Sequence, residues 1–401
     1  MRRTTASIGI LGVAAALSLT ACGSDSSSSP SASGSSSSSG GVTAACSLPN
    51  PPQSGASLPK EVDLGKTSGK VGVILPDTTS STRYVQYDAP LLTQALKAAG
   101  ITPDVQNAQG DKNKFASIAQ SMIGEGVKVL IIDSIDAASG AGVERQAQKA
   151  GVKVIDYDRV NLGGTAPYYV SFDNEDVGKL QAQTMIDCLN AQGVTNPKII
   201  MMDGGTDVDN NAVLFAKGAH EVLDPLVSAG KANIEQEAVV KGWLVANAAP
   251  AFQQALQASG GSVDAVLAAN DDIANAVIGV LKTNGLDGKV VVTGQDSGTE
   301  GLQNIVKGLQ SMTVFKNVKL EANAAAQLAI ALISGKDPAS AGMTLQDFAD
   351  PESANHQIKA LLLPAQVITQ ANVDDVVKAG ALTQAEICKG ITTQCAAIGL
   401  Q

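Results

Sequence analysis

The sequence predicts an α/β protein of parallel sheets covered by helices on both faces, and two observations predict it. Seven short apolar runs, most of them rich in β-branched residues, recur along the chain: VGVIL (71–75), VKVLIID (127–133), VKVID (152–156), KIIMMDG (198–204), AVLAAN (265–270), VVVTG (290–294) and MTVF (312–315). Between them lie longer stretches of helical spacing, such as 84–100, 115–126, 141–151 and 322–335, each closing on glycine. Strands buried on both faces read as unbroken apolar runs, and their alternation with amphipathic helices is the pattern of a parallel sheet. From about Lys70 onward the chain is long enough for two domains of ordinary size.

The N-terminus reads as an address. Arg2 and Arg3 precede an apolar stretch from Ile8 to Leu19, which ends in Leu19-Thr20-Ala21-Cys22. A charged start, a short apolar segment and small residues describe an export signal too short to stay as a membrane span. The ending resembles a bacterial lipobox, so residues 1–22 are expected to be a lipoprotein signal and Cys22 its lipidated residue. Ser and Gly dominate the stretch that follows, and residues 23–59 are expected to form a flexible tether that holds a folded protein just outside the membrane.

Net charge is −10, or −12 once Arg2 and Arg3 are gone with the signal, which excludes nucleic acid as a natural partner. Cys46, Cys188, Cys388 and Cys395 remain beside Cys22, an even number in an exported chain. Their three possible pairings are not distinguished by sequence; the short interval from Cys388 to Cys395 favours that pair and leaves Cys46 with Cys188. Enzyme signatures are missing. No GxGxxG follows the first run, no HExxH occurs, GKT at 65–67 has Lys60 where a phosphate loop needs glycine, and GQDSG at 294–298 is not a nucleophile elbow. Asp207 and Asp209 lack the rest of a calcium loop, and no metal or cofactor is expected.

Polar clusters stand where the apolar runs stop. In open parallel sheets ligands bind beyond the carboxyl ends of the strands. Those ends supply Arg83, Asp158, Arg159, Asp209, Asn211, Asn270, Asp296 and Lys316, with Tyr84 and the only tryptophan, Trp243, within reach. Three acids and three bases cancel, which suits a neutral polyol whose hydroxyls both donate and accept. Tyr84 and Trp243 add apolar faces for the C–H side of a sugar ring in a chain with 3% aromatics. Plainer roles compete: Asp158 with Arg159 as a surface ion pair, Asn270 and Asp209 as helix caps.

The ordered phrases YDRVN (157–161), GGTDVDNNAVLFAKG (204–218), KGWLVANA (241–248), AANDDIANAVI (268–278), TGQDSGTEGLQ (293–303) and MTVFKN (312–317) resemble periplasmic sugar-binding proteins of the ribose/xylose group, which serve ABC importers. The resemblance runs from Lys70 to about Lys378. It implies two similar doubly wound domains joined by a three-crossover hinge, the type I periplasmic-binding-protein fold. The first lobe is expected at 70–172 plus 318–360 and the second at 173–316 plus 361–401, with the chain crossing near 171–173, 316–318 and 360–364. It further implies that the eight polar residues hydrogen-bond a monosaccharide, with D-xylose the first candidate, and that Tyr84 and Trp243 sandwich its ring. Tyr84 stands where the xylose-binding pattern has tryptophan. The expected protein is a lipid-anchored monomer that closes around its sugar and delivers it to an ABC permease without performing chemistry. A subunit presenting sugar to a membrane receptor is the alternative. A sugar-responsive repressor needs an N-terminal helix-turn-helix where this chain has a signal and tether, and a glycosidase is disfavoured because each acid stands beside a base that lowers its pKa.

Overall fold

The structure is a computed structural model that describes residues 42–58, 62 and 64–400; the signal, Cys22 and the tether up to residue 41 lie outside them. The strands are, in chain order, β1 Lys70–Leu75, β2 Thr102–Asn107, β3 Val129–Ile132, β4 Lys153–Tyr157, β5 Tyr168–Phe172, β6 Lys198–Asp203, β7 Asn233–Val239, β8 Ala265–Ala268, β9 Val291–Val292, β10 Thr313–Phe315, β11 Gln346–Ala349, β12 Gln357–Leu363 and β13 Gln366–Ile368. They form two lobes. The first sheet has the order β11-β12-β5-β4-β3-β1-β2, parallel except for the antiparallel edge strand β11. In the second, β7-β6-β8-β9 are parallel, a Gln295–Val314 bridge sets β10 beside the end of β9, and antiparallel β13 closes the edge.

Both sheets thus repeat one winding, in which the first two strands lie in reversed order and the rest follow outward. Each of the seven apolar runs is a strand, and the central ones, such as Val129–Ile132 and Ala265–Ala268, are buried along their whole length. Helices cover the faces. Asn174–Ala191 and Asn210–Ser228 pack against each other in the second lobe, and Val318–Ile333 returns to the first, against Ala89–Ala98. The close pass between Asn174–Ala191 and Asn210–Ser228 depends on two glycines. A Cβ on Gly178 or Gly218 would run into the facing backbone of Phe215 or Glu175.

Two expected boundaries move. Strand β12 runs unbroken to Leu363, pairing Leu361, Leu362 and Leu363 with β5, so residues 361–363 belong to the first lobe and the third crossing falls at 364–365. Residues 42–55 are not loose tether but lie on the second lobe. Cys46 is disulfide-bonded to Cys188, Thr43 exchanges hydrogen bonds with Gln192, and Gln53 bridges Gln366. At the other end of the chain Cys388 is bonded to Cys395. That hairpin packs Ile387 and Ile391 into an apolar cluster with Leu302, Ile305 and Phe315 of the second lobe and Tyr87 of the first.

Candidate functional site

The strand that ends in Asp156, Tyr157, Asp158 and Arg159 divides its polar groups among separate tasks. Asp156 turns back into the lobe, accepting from Asn161 N–H at 2.8 Å and from its Nδ2 at 2.7 Å. The Tyr157 hydroxyl donates to Asp88 Oδ1 at 2.7 Å. Asp158 then takes a left-handed backbone, φ 57°, which swings it and Arg159 out of the strand toward the gap between the lobes. Sequence neighbours though they are, their closest ionic partners lie elsewhere. Asp158 accepts from Arg83 Nη1 at 2.9 Å, while Arg159 Nε lies 3.4 Å from Asp209 and its Nη2 donates to the Tyr84 hydroxyl at 3.1 Å. A surface pair is therefore not their role: both are buried, at 4% and 6% exposure.

Arg83 and Tyr84 follow β1, where a π-helical turn over Tyr84–Asp88 tucks Tyr84, Tyr87 and Asp88 inward. Arg83 is gripped by three carboxylates: Asp88 takes Nε and Nη2 at 2.9 and 2.7 Å, Glu321 takes Nη2 at 2.7 Å, and Asp158 takes Nη1. That leaves one Nη1 proton of a guanidinium's five outside these bonds. The guanidinium carbons of Arg83 and Arg159 each lie 5.8 Å from the Tyr84 ring centroid, so its aromatic face sits among cations.

The second lobe contributes helix starts. Asp209 caps Asn210–Ser228 by accepting from Asn211 N–H at 2.9 Å, and its other oxygen accepts from Trp243 Nε1 at 3.0 Å. Asn270 caps the helix Asp271–Thr283 through Ile273 N–H at 2.9 Å. Capping and site residue are thus the same groups, one atom serving the helix and the rest of the side chain facing the gap. The Trp243 indole lies across Gly204 and Gly205, where a Cβ on either would collide with it, and meets Phe215 edge-on at 6.3 Å. Lys316, after β10, reaches Asp158 at 3.6 Å and Asp296 at 3.5 Å.

All ten residues expected at the site line one cavity. Ser80, Ser81, Phe215 and Gln295 complete its wall. Ser80 and Ser81 sit in the polar stretch after β1 and Gln295 directly precedes Asp296, so their strand-end position was a usable signal. The lining keeps its three acids and three bases, and Asp88, Asp133 and Glu321 stand behind it against Arg83 and Arg159. Burial lifts Glu321 to about 8 against the pull of Arg83, and burial likewise pushes Asp133 well above the usual carboxylate range. Both lean toward their neutral forms. Asp158 goes the other way. Burial opposes its charge, but Arg83, Lys316 and Arg159 outweigh it and hold the carboxyl down at about 2. Arg159 Nε, Asp296 Oδ1 and Gln295 Oε1 are buried without a hydrogen-bond partner among the described residues, a mixed set of one donor and two acceptors suited to hydroxyls.

Two lobes of one winding, joined by three crossings and facing each other across a polar cavity, define a binding protein of the type I periplasmic class. A family profile described as periplasmic binding protein domain matches residues 71–337. Over 318 residues the chain is 35% identical to the D-xylose-binding periplasmic protein of Escherichia coli K12, covering 79% of this chain and 92% of that one. It is 33% identical over 319 residues to the multiple sugar-binding periplasmic receptor ChvE of Rhizobium radiobacter, covering 76% and 87%. A carbohydrate transporter solute-binding protein of Chloroflexus aurantiacus, solved with D-glucose, superimposes with a TM-score of 0.71 at 27% identity over 80% of this chain and 98% of that one. The chain belongs to the periplasmic binding protein family, in its sugar-binding branch. It is a binding protein, not an enzyme, and the family works outside the cytoplasm. No helix among the described residues is long and apolar enough to cross a membrane.

Proposed function

We propose that this protein captures a neutral monosaccharide, D-xylose first among them, between its lobes and delivers it to an ABC permease, held outside the cell membrane by a lipid on Cys22. The observation that carries this reading is the convergence of the ten strand-end residues from both lobes on a single cavity with donors, acceptors and aromatic faces together. Likeness to the D-xylose-binding protein of Escherichia coli supports the choice of sugar, while Tyr84 widens the field to other pentoses and hexoses. Trp243 is the only tryptophan. Its fluorescence, followed during titration with D-xylose, D-glucose, L-arabinose, D-ribose and D-galactose, is expected to change saturably with one or a few of them. A flat response with no calorimetric heat for any sugar sinks the reading. Mass spectrometry of the membrane fraction tests the acyl chains on Cys22.

The receptor relative supports a second reading, in which the closed form is presented to a membrane sensor. A deletion strain separates the two: lost uptake marks transport, and intact uptake with lost sugar-dependent transcription marks sensing.

A further inference from the structure

The loop that follows β1 in the first lobe reaches the second lobe through three hydrogen bonds. The Ser81 hydroxyl donates to Asp296 Oδ2 at 3.2 Å, Asn270 Nδ2 donates to the Ser80 carbonyl at 3.5 Å, and Thr82 N–H donates to Asp272 Oδ2 at 3.1 Å. Ser80, Ser81, Asn270 and Asp296 all line the sugar cavity, whereas Thr82 and Asp272 do not. The third bond therefore joins the lobes through groups that the sugar itself does not need.

Both of its ends are held in place before they meet. On the first lobe, Asp77 ties the loop into a tight turn: its Oδ1 accepts from Thr79 N–H and Ser80 N–H, each at 2.7 Å, and its Oδ2 accepts from the Ser80 hydroxyl at 2.8 Å. Asn107, at the end of β2, adds a bond from Nδ2 to the Asp77 carbonyl at 2.7 Å. On the second lobe the two acids after Asn270 divide their roles. Asp271 turns inward, accepting from Gln310 Nε2 at 2.8 Å and Gly298 N–H at 2.9 Å. Asp272, in the first turn of the helix Asp271–Thr283 and half-buried, turns to the first lobe. Burial lifts its carboxyl above the ordinary aspartate value, the Thr82 amide pulls it back, and the charges of Asp296 and Glu300 add to the lift. A carboxylate set beside like charges is answered here by an amide from the opposite lobe, and hydrogen bonds to charged acceptors are the stronger kind. Since the turn and the helix are already ordered, little ordering entropy is spent in making it.

We propose that Asp272 is a positioning residue for sugar binding: without touching the sugar, it strengthens affinity by latching the second lobe to Thr82 N–H of the first. This rests on the sugar-binding reading above. A bond made only while the lobes are together raises the share of protein in that arrangement, and the apparent dissociation constant falls accordingly. The effect belongs to release, because sugar entering between parted lobes meets no such bond.

The test sets Asp272→Ala beside Asp272→Asn, whose side-chain oxygen still accepts from Thr82 N–H, with circular dichroism to show that each is folded. For the sugar that wild type binds, calorimetry is expected to show Kd raised about three- to tenfold in Asp272→Ala and within about twofold of wild type in Asp272→Asn. Stopped-flow Trp243 fluorescence is expected to show faster release from Asp272→Ala with association unchanged. An unchanged Kd in Asp272→Ala overturns the latch, as does an equal loss in both variants or a loss that appears in association alone. Should Asp272→Ala not fold, Asp77→Ala loosens the same bond from the first lobe, and an unchanged Kd there overturns the latch equally. Wild type that binds no sugar is a different failure, which defeats the functional reading and takes this proposal with it.

Discussion

The two lobes build their halves of the cavity from different materials. In the first lobe, Arg83, Asp158 and Arg159 are full charges shut inside, with Asp88, Asp133 and Glu321 packed behind them. In the second, Asp209 and Asn270 are helix caps, and Trp243 is a ring laid over two glycines. Removing one member of a buried ion network strands the others, whereas a cap has close substitutes. Recognition and folding are therefore entangled in the first lobe and separable in the second.

Arg83→Met is the severest way to expose that contrast. It leaves Asp88, Asp158 and Glu321 facing one another without their shared cation. Denaturant unfolding is expected to show a loss of roughly 3–5 kcal/mol, together with loss of measurable sugar binding. If stability hardly changes, the first-lobe network is not what holds the charges in.

Gly204→Ala asks whether the second lobe has its own point of entanglement. The added methyl meets the Trp243 indole and must displace it. The expected cost is about 1–3 kcal/mol, with a shifted Trp243 emission maximum and sugar affinity weaker by about tenfold or more. An unmoved emission spectrum counts against the packing described here.

Asp209→Asn should separate the two properties most cleanly. Asparagine caps a helix about as well as aspartate, so stability is expected to stay within about 1 kcal/mol. The carboxylate beside Arg159 is gone, however, and calorimetry should show sugar binding weakened by about tenfold.

Acidity gives the mildest probe. Glu321 is raised by burial from its ordinary 4.5 to about 8 in the first lobe, and Asp271 is raised by burial from 3.8 to about 8 in the second. Each keeps its proton in the folded protein while the unfolded chain releases it, so stability falls as pH rises from about 4 to about 8. Asp158, held at about 2, has the opposite sign: its contribution is present above the ordinary aspartate value and is lost as pH falls toward 2. Glu321→Gln is expected to flatten the fall between pH 5 and 8 only in part, since Asp271 remains. Urea midpoints across that interval measure it, and a slope identical to wild type removes Glu321 from the account.

How much of this was legible in the sequence follows from burial. Central strands such as β3 and β8 announced themselves as unbroken apolar runs. Edge strands β2 (TPDVQN), β7 (NIEQEAV) and β11 (QDFA) did not, because a half-exposed edge carries polar residues and offers neither a run nor a clean alternation. The site's inner wall was readable because a charge at the end of a buried run is an anomaly that asks for a partner. Its second layer was not. Glu321 and Asp88 lie in helical segments, where acids ordinarily face water, and only the fold turns these two inward. The docked stretch 42–55 was hidden by the serine-rich stretch ahead of it, although Cys46 already stood as a candidate for a disulfide.

Three of the ten candidate site residues, Asp158, Trp243 and Asp296, have backbones with φ of 57°, 58° and 90°. Asparagine, aspartate and glycine tolerate that region, and β-branched side chains do not. Evolution therefore has little freedom at these positions, since most replacements would disturb the turn before they altered a contact. Asn270, on extended backbone, and Tyr84, in a helical turn, carry no such restriction. Descendants of this protein that come to prefer another sugar should differ at 84 and 270 first, with 158 and 296 the last to change.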